Sequence, residues 1–101
     1  MKYLFVTVLT VLILAKAIFA TSFQARVTLA GSNQPAAQAL IIFSLDGVEK
    51  ARNITGDDGL CFIPDIPSGT YVVKISYRGK AKEYRDFVVP NSKYEFDIPA
   101  P

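Results

Sequence analysis

Residues 55–71 read TGDDGLCFIPDIPSGTY, a succession of turn, strand, turn and strand signals. Asp57 and Asp58 can accept hydrogen bonds from their own backbone, and Gly59 reaches a positive φ without steric penalty, so a tight reversal is expected there. Leu60, Cys61, Phe62 and Ile63 suit a strand. Pro64 lacks the N–H that a ladder needs, so it either ends that strand or sits on an edge. Pro67-Ser68-Gly69 signals a second reversal, with proline fixing φ and Gly69 free to turn left-handed. Beyond it Tyr71, Val73, Ile75 and Tyr77 alternate with Val72, Lys74 and Ser76. Period two buries one face and leaves the other mostly wet.

Working outward, the same reasoning places strands over residues 23–29, 39–45, 49–55, 60–63, 70–77, 83–89 and 93–98. Phe23, Ala25, Val27 and Leu29 share one face of the first, and Ala39, Ile41, Phe43 and Leu45 one face of the second. These are core candidates. After Ala20 no ten-residue stretch has helical periodicity, and residues 34–39 are interrupted by Pro35. The expected fold is all-β, a seven-stranded antiparallel β-sandwich over residues 21–101. A domain of that size buries a modest core. No internal disulfide can reinforce it, because Cys61 is the single cysteine; on the alternating pattern it packs inward with Ile63, although an unpaired thiol can also bridge two chains.

The pattern Thr55, Asp58, Gly59, Cys61, Ile63, Ile66, Pro67, Gly69, Thr70, Tyr71 resembles the signature of the carboxypeptidase regulatory-like modules, small sandwiches of the transthyretin (prealbumin-like) kind that also include the Cna B-type repeats. Residues 34–43, QPAAQALIIF, are similar to that family's approach to its second strand, with Gln38 where a glycine is usual. The resemblance spans about residues 23–98 and implies a prealbumin-like sandwich that serves as a non-catalytic accessory or interaction domain. The hydrolases and non-haem iron enzymes built on similar sandwiches rely on histidine, which this chain lacks.

Residues 1–20, MKYLFVTVLTVLILAKAIFA, form a distinct segment: a lysine near the start, an apolar run over residues 4–15, and small residues at Ala15, Ala17 and Ala20. This fits a secretory signal peptide; the competing reading is an N-terminal hydrophobic helix retained as a membrane anchor, since about 20 helical residues cross about 30 Å of hydrocarbon, a reading that Lys16 weakens. Either reading puts the domain outside the cytoplasm, secreted or anchored to the outer face of the cell membrane. Setting aside Lys2 and Lys16 leaves nine basic against nine acidic residues. A neutral domain gives no reason to expect a nucleic-acid partner.

Chemistry-bearing patterns are sparse. Without histidine there is no Ser-His or Cys-His pair and no imidazole ligand, so no catalytic residue, metal site or cofactor is expected. Asp46, Asp57, Asp58 and Asp65 match no calcium-loop spacing and read as turn formers. Arg78, Lys80, Lys82 and Arg85 surround Gly79 in an expected hairpin at the end of the sandwich that holds Asp57 and Asp58. They form either a solvated turn neutralised by those carboxylates or an anion site. Asn53-Ile54-Thr55 matches the N-x-T pattern of a glycosylation acceptor, available on an extracytoplasmic chain only if the host glycosylates this way. A Cna B-type internal isopeptide would need a lysine on the first strand, where the basic residue is Arg26.

The functional signal is an anomaly of pattern. If Cys61 and Ile63 point inward, Leu60 and Phe62 point outward, joined by Leu40, Ile42 and Val72 where polar residues are expected. Contiguous exposed apolar groups mark a partner surface unless a loop, the leader-proximal segment or the tail covers them. The expectation is a non-catalytic structural or interaction subunit that assembles with other copies, as a surface filament or sheath, or with a larger membrane complex. The alternative is a carbohydrate- or small-ligand-binding accessory module, with Tyr77, Tyr84 and Tyr94 as stacking platforms.

Overall fold

A computed structural model describes residues 20–101; the leader helix, signal or anchor expected at the N-terminus lies outside them, apart from Ala20, which opens the first strand. Seven strands follow in chain order: β1 (Ala20–Leu29), β2 (Leu40–Leu45), β3 (Val48–Ile54), β4 (Leu60–Pro67), β5 (Gly69–Tyr77), β6 (Lys80–Val89) and β7 (Glu95–Ile98). They form a three-stranded sheet in the order β4-β1-β7 and a four-stranded sheet in the order β3-β2-β5-β6. The all-antiparallel expectation fails at one pair. β7 runs parallel to β1, with Arg26 opposite Glu95 and Leu29 opposite Ile98. The chain reaches β7 by crossing from the other sheet, and such a crossover, unlike a hairpin, can deliver a strand in either direction.

The two hairpins lie within the four-stranded sheet and turn on two residues each. Asp46 and Gly47 join β2 to β3 at φ of 51° and 78°, and Arg78 and Gly79 join β5 to β6 at 45° and 79°. Two successive left-handed residues match the twist of the flanking strands. Pro64 does not end β4; the strand continues to Pro67 because β4 is an edge, where a missing N–H breaks no ladder. A bulge helps it past: Thr21 pairs with Ile66 and Phe23 with Ile63, and Asp65, left over at φ 39°, exchanges hydrogen bonds with Ser22. Gly69 differs from the expectation of a left-handed turn. Its backbone is not left-handed; what it supplies is room, since a Cβ there would sit 2.8 Å from Leu45 Cδ1. The adjoining Tyr71 hydroxyl donates to the Pro67 carbonyl at 2.6 Å, pinning the step from one sheet to the other.

The expected inward residues meet between the sheets. Ala25, Val27, Ala39, Ile41, Phe43, Ile63, Tyr71, Val73 and Ile75 are fully buried, and Phe23, Cys61 and Tyr77 nearly so, while Leu29 and Leu45 pack at the margin. Phe43 is the centre of this core. Its ring meets Phe23 and Phe96 from the three-stranded sheet, at 5.4 and 6.1 Å, and Tyr71 and Phe87 from its own sheet, at 6.1 and 6.3 Å. All four contacts are edge-to-face, the arrangement that the ring quadrupoles favour.

One end of the molecule is tied by Thr55, the single buried polar residue among those described. Its hydroxyl donates to the Ala36 carbonyl at 2.5 Å and accepts from the Ala39 N–H at 2.8 Å. Its own N–H donates to the Ala39 carbonyl, and its carbonyl accepts from the Gln38 N–H, both at 2.9 Å. Ala36 N–H in turn donates to the Val27 carbonyl, and Val27 N–H donates to the Gly59 carbonyl. Two loops and β1 are thus held in one network. Gln38 adopts φ 58° despite its side chain, whose amide donates to Asp57 Oδ1 at 2.8 Å.

Thr55→Val should cost about 1–3 kcal/mol, because it leaves the Ala36 carbonyl and the Ala39 N–H buried without a partner, whereas Thr55→Ser keeps both bonds and costs less. Urea denaturation of the three proteins checks the order. Gly59→Ala should be at least as damaging as Thr55→Val: the backbone there is at φ +77°, and a Cβ would lie 2.6 Å from the Val27 carbonyl oxygen, which cannot retreat without breaking β1.

Candidate interaction surface

Each sheet has two edges, and they meet in pairs. On one side β3 approaches β4, and Asn53 Nδ2 donates to the Phe62 carbonyl at 2.7 Å while Asn53 Oδ1 accepts from the Ile54 N–H at 2.8 Å. One side chain therefore satisfies groups on both edges. On the other side β6 approaches β7: the Tyr84 hydroxyl donates to Asp97 Oδ1 at 2.6 Å and accepts from the Asp97 N–H at 2.9 Å. Lys82 Nζ pairs with the same carboxylate and lies 4.8 Å from the centre of the Tyr84 ring. Sequence reading missed this cluster because its members stand 13 and 15 residues apart on strands that do not pair.

The five apolar residues expected to form one outward face divide between two. Leu40, Ile42 and Val72 belong to the four-stranded sheet, Leu60 and Phe62 to the three-stranded one, so the two groups point away from opposite sheets. Leu40, Ile42, Leu60 and Val72 are half-buried; Phe62 is 55% exposed. Ile54, which the sequence reading used only as the middle of a glycosylation motif, is opposite Leu40 and 58% exposed. Because Asn53 joins the strands beside both Ile54 and Phe62, the two apolar groups flank one seam. Val72 lies farther along, opposite Ser44. Val88 is a second omission: a bulge at Asp86, φ 59°, turns Phe87 and Val89 inward and leaves Val88 half-exposed, against simple alternation from Tyr84.

The tyrosines considered as platforms for a ligand are engaged in packing. Tyr77 is buried, Tyr84 is held by Asp97 and overlain by Lys82, and Tyr94 stacks on Phe23 with ring centres 3.6 Å apart. Cys61 is buried, and burial pushes its thiol up to about 11, which keeps it protonated and unreactive near neutrality. The basic residues around Gly79 do not pair with Asp57 and Asp58: Lys82 takes Asp97, Arg85 lies 3.6 Å from Glu83, and Arg78 lies over the Tyr77 ring. Asp57 accepts from Gln38 and Asp58 from the Leu60 N–H, completing the turn. Among the described residues no helix is long and apolar enough to cross a membrane. No family model matches this chain, and neither a curated protein nor a solved structure matches it.

The Lys82 ammonium, and after it the Tyr84 hydroxyl, hold the Asp97 carboxyl below the usual carboxylate range, and the same contacts hold Lys82 above its ordinary value. The carboxylate contribution to stability is therefore complete above about pH 4 and is lost as pH falls through the lowered native value; that of the lysine is complete below about pH 10 and is lost above it. Both side chains are more than a third exposed, so in physiological salt the pair is worth less than about 1 kcal/mol. Asp97→Asn should flatten part of the acid limb of a stability–pH curve measured by urea unfolding, and its effect should shrink in 1 M salt, about 3 Å Debye length.

Proposed function

We propose that this chain is a non-catalytic extracytoplasmic interaction or structural subunit, a prealbumin-like sandwich of the carboxypeptidase regulatory-like kind. It assembles with other copies or with a larger membrane complex through apolar groups around the β3–β4 seam. The observation that carries this reading is the exposure of Ile54 and Phe62, large apolar side chains on either side of the Asn53 clasp. An exposed isoleucine or phenylalanine alone is ordinary surface. Here each has apolar company on its own sheet, Ile54 opposite half-buried Leu40 with Ile42 beyond it, and Phe62 two residues from half-buried Leu60, so both sides of the seam carry apolar groups of the kind that partners cover. The leader reading supplies the compartment, and the similarity of residues 55–71 to accessory modules supplies the role.

The ligand-binding alternative fares less well, because the aromatic rings that would stack on a sugar are taken up by Asp97, Lys82 and Phe23. The chain's lack of histidine removes the commonest general base and metal ligand. The seam reading makes a direct prediction. Ile54→Ser combined with Phe62→Ser should leave the melting temperature within a few degrees, since both residues are more than half exposed, while weakening co-purification of the partner complex at least tenfold. Unchanged co-purification and unchanged solubility of the double variant would overturn it.

A further inference from the structure

The edges of the two sheets are not equally protected. β3 carries Glu49, Lys50 and Arg52, with an ion pair between the first and the last, and its terminal N–H is capped by Asn53. β4 carries Pro64 and the Asp65 bulge; β6 carries Lys80, Lys82, Glu83, Arg85 and a second bulge; β7 carries Glu95 and Asp97 and is followed by two prolines. These are the usual devices against strand addition. One stretch has none of them. β7 pairs with β1 only from Arg26 onward, so the half of β1 formed by Ala20, Thr21, Ser22, Phe23 and Gln24 extends beyond β7 with no charge and no proline.

The backbone direction there is fixed by its neighbours. Arg26 N–H donates to the Tyr94 carbonyl on the β7 side, and Val27 N–H donates to the Gly59 carbonyl on the β4 side. Alternation then aims the N–H and C=O groups of Gln24, Ser22 and Ala20 to the β7 side, where among the described residues no strand pairs with them. Ala20, Ser22 and Gln24 are also exposed. We propose that this half-edge of β1 is a strand-pairing site whose occupant is the same half-edge of a second copy, running antiparallel about a two-fold axis through Ser22.

Three features select a second copy. The stretch is uncharged, so it can face itself without the like-charge repulsion that β3, β6 or β7 would meet in self-pairing. Two-fold pairing sets Ser22 opposite Ser22 and Ala20 opposite Gln24, which gives about six backbone hydrogen bonds in a self-complementary register. Every other edge is blunted, so the pairing closes at a dimer. The β3–β4 seam lies on the far side of β1 and stays free in that dimer. The inference builds on the interaction-module reading but uses a different surface.

Gln24→Pro tests it. The proline removes an N–H that β4 does not use, so the monomer fold should survive, with thermal melting followed by circular dichroism as the control. The full chain, purified in mild detergent, should sediment as a dimer, and Gln24→Pro as a monomer. The Ser22 and Gln24 amides of the wild-type chain should be protected from hydrogen exchange at high concentration and lose at least tenfold protection on dilution, a readout that stands even if the variant folds poorly. A monomeric wild-type chain, a Gln24→Pro dimer, or protection independent of concentration would overturn the proposal. None of those results bears on the seam, which the Ile54 and Phe62 double variant addresses by partner co-purification.

Discussion

The arrangement depends on a hydroxyl in a place where no water reaches. Thr55 stands where the chain leaves the four-stranded sheet for the three-stranded one, and the loop that brought it from β1 to β2 passes the same point. Both segments bury backbone groups there, and a buried N–H or C=O without a partner costs as much as a lost hydrogen bond. Thr55 answers with four bonds, two from its side chain and two from its backbone, shared among Ala36, Gln38 and Ala39. Val27 extends the network to Gly59, so β1, the β1–β2 loop and the β3–β4 turn settle together. The crowding that excludes a Cβ at Gly59 is the same fact seen from the turn.

The two seams express a second constraint. Open sheets must dispose of their edges, and a two-sheet protein without a closing strand has four of them. Here they are drawn together in pairs by side chains: Asn53 spans β3 and β4, while Tyr84 and Lys82 span β6 and β7 through Asp97. Phe43 holds the middle by touching aromatic rings of both sheets. The molecule is closed on both flanks by polar contacts and filled by an aromatic cluster. Among the described residues the large exposed apolar side chains are Ile54 and Phe62 beside the Asn53 clasp, Val48 at the other end of β3, and Val88 on β6.

Strand existence and facing were legible wherever alternation ran uninterrupted. Tyr71 to Tyr77 and Phe23 to Val27 behave as their period demands, and Cys61 and Ile63 turn inward with them. What alternation does not encode is sheet membership. Leu40 and Phe62 both read as outward residues, yet they face away from different sheets, because the chain changes sheet between them at Thr55. Bulges are the other blind spot: one extra residue at Asp86 reverses the facing of Phe87, Val88 and Val89, and nothing in that uniform strand composition announces it. The parallel β1–β7 pair and the Lys82–Tyr84–Asp97 cluster were hidden for the same reason, since both join segments far apart in the chain. The glycines of the two hairpin corners, by contrast, are local signals, although the Arg78-Gly79 corner is tighter than expected, since β6 begins at Lys80 and not at 83.

The burial of Thr55 also bears on timing. An enzyme that attaches a sugar to Asn53 must engage the threonine two residues on as well as the amide, and in the finished fold that hydroxyl is sealed under Ala36 while the amide is already committed to Phe62. A tripeptide so engaged is closed to any such enzyme once the domain has folded. In the folded domain, then, the same two side chains that would define an acceptor tripeptide serve as structural ties, Asn53 across the seam and Thr55 beneath Ala36.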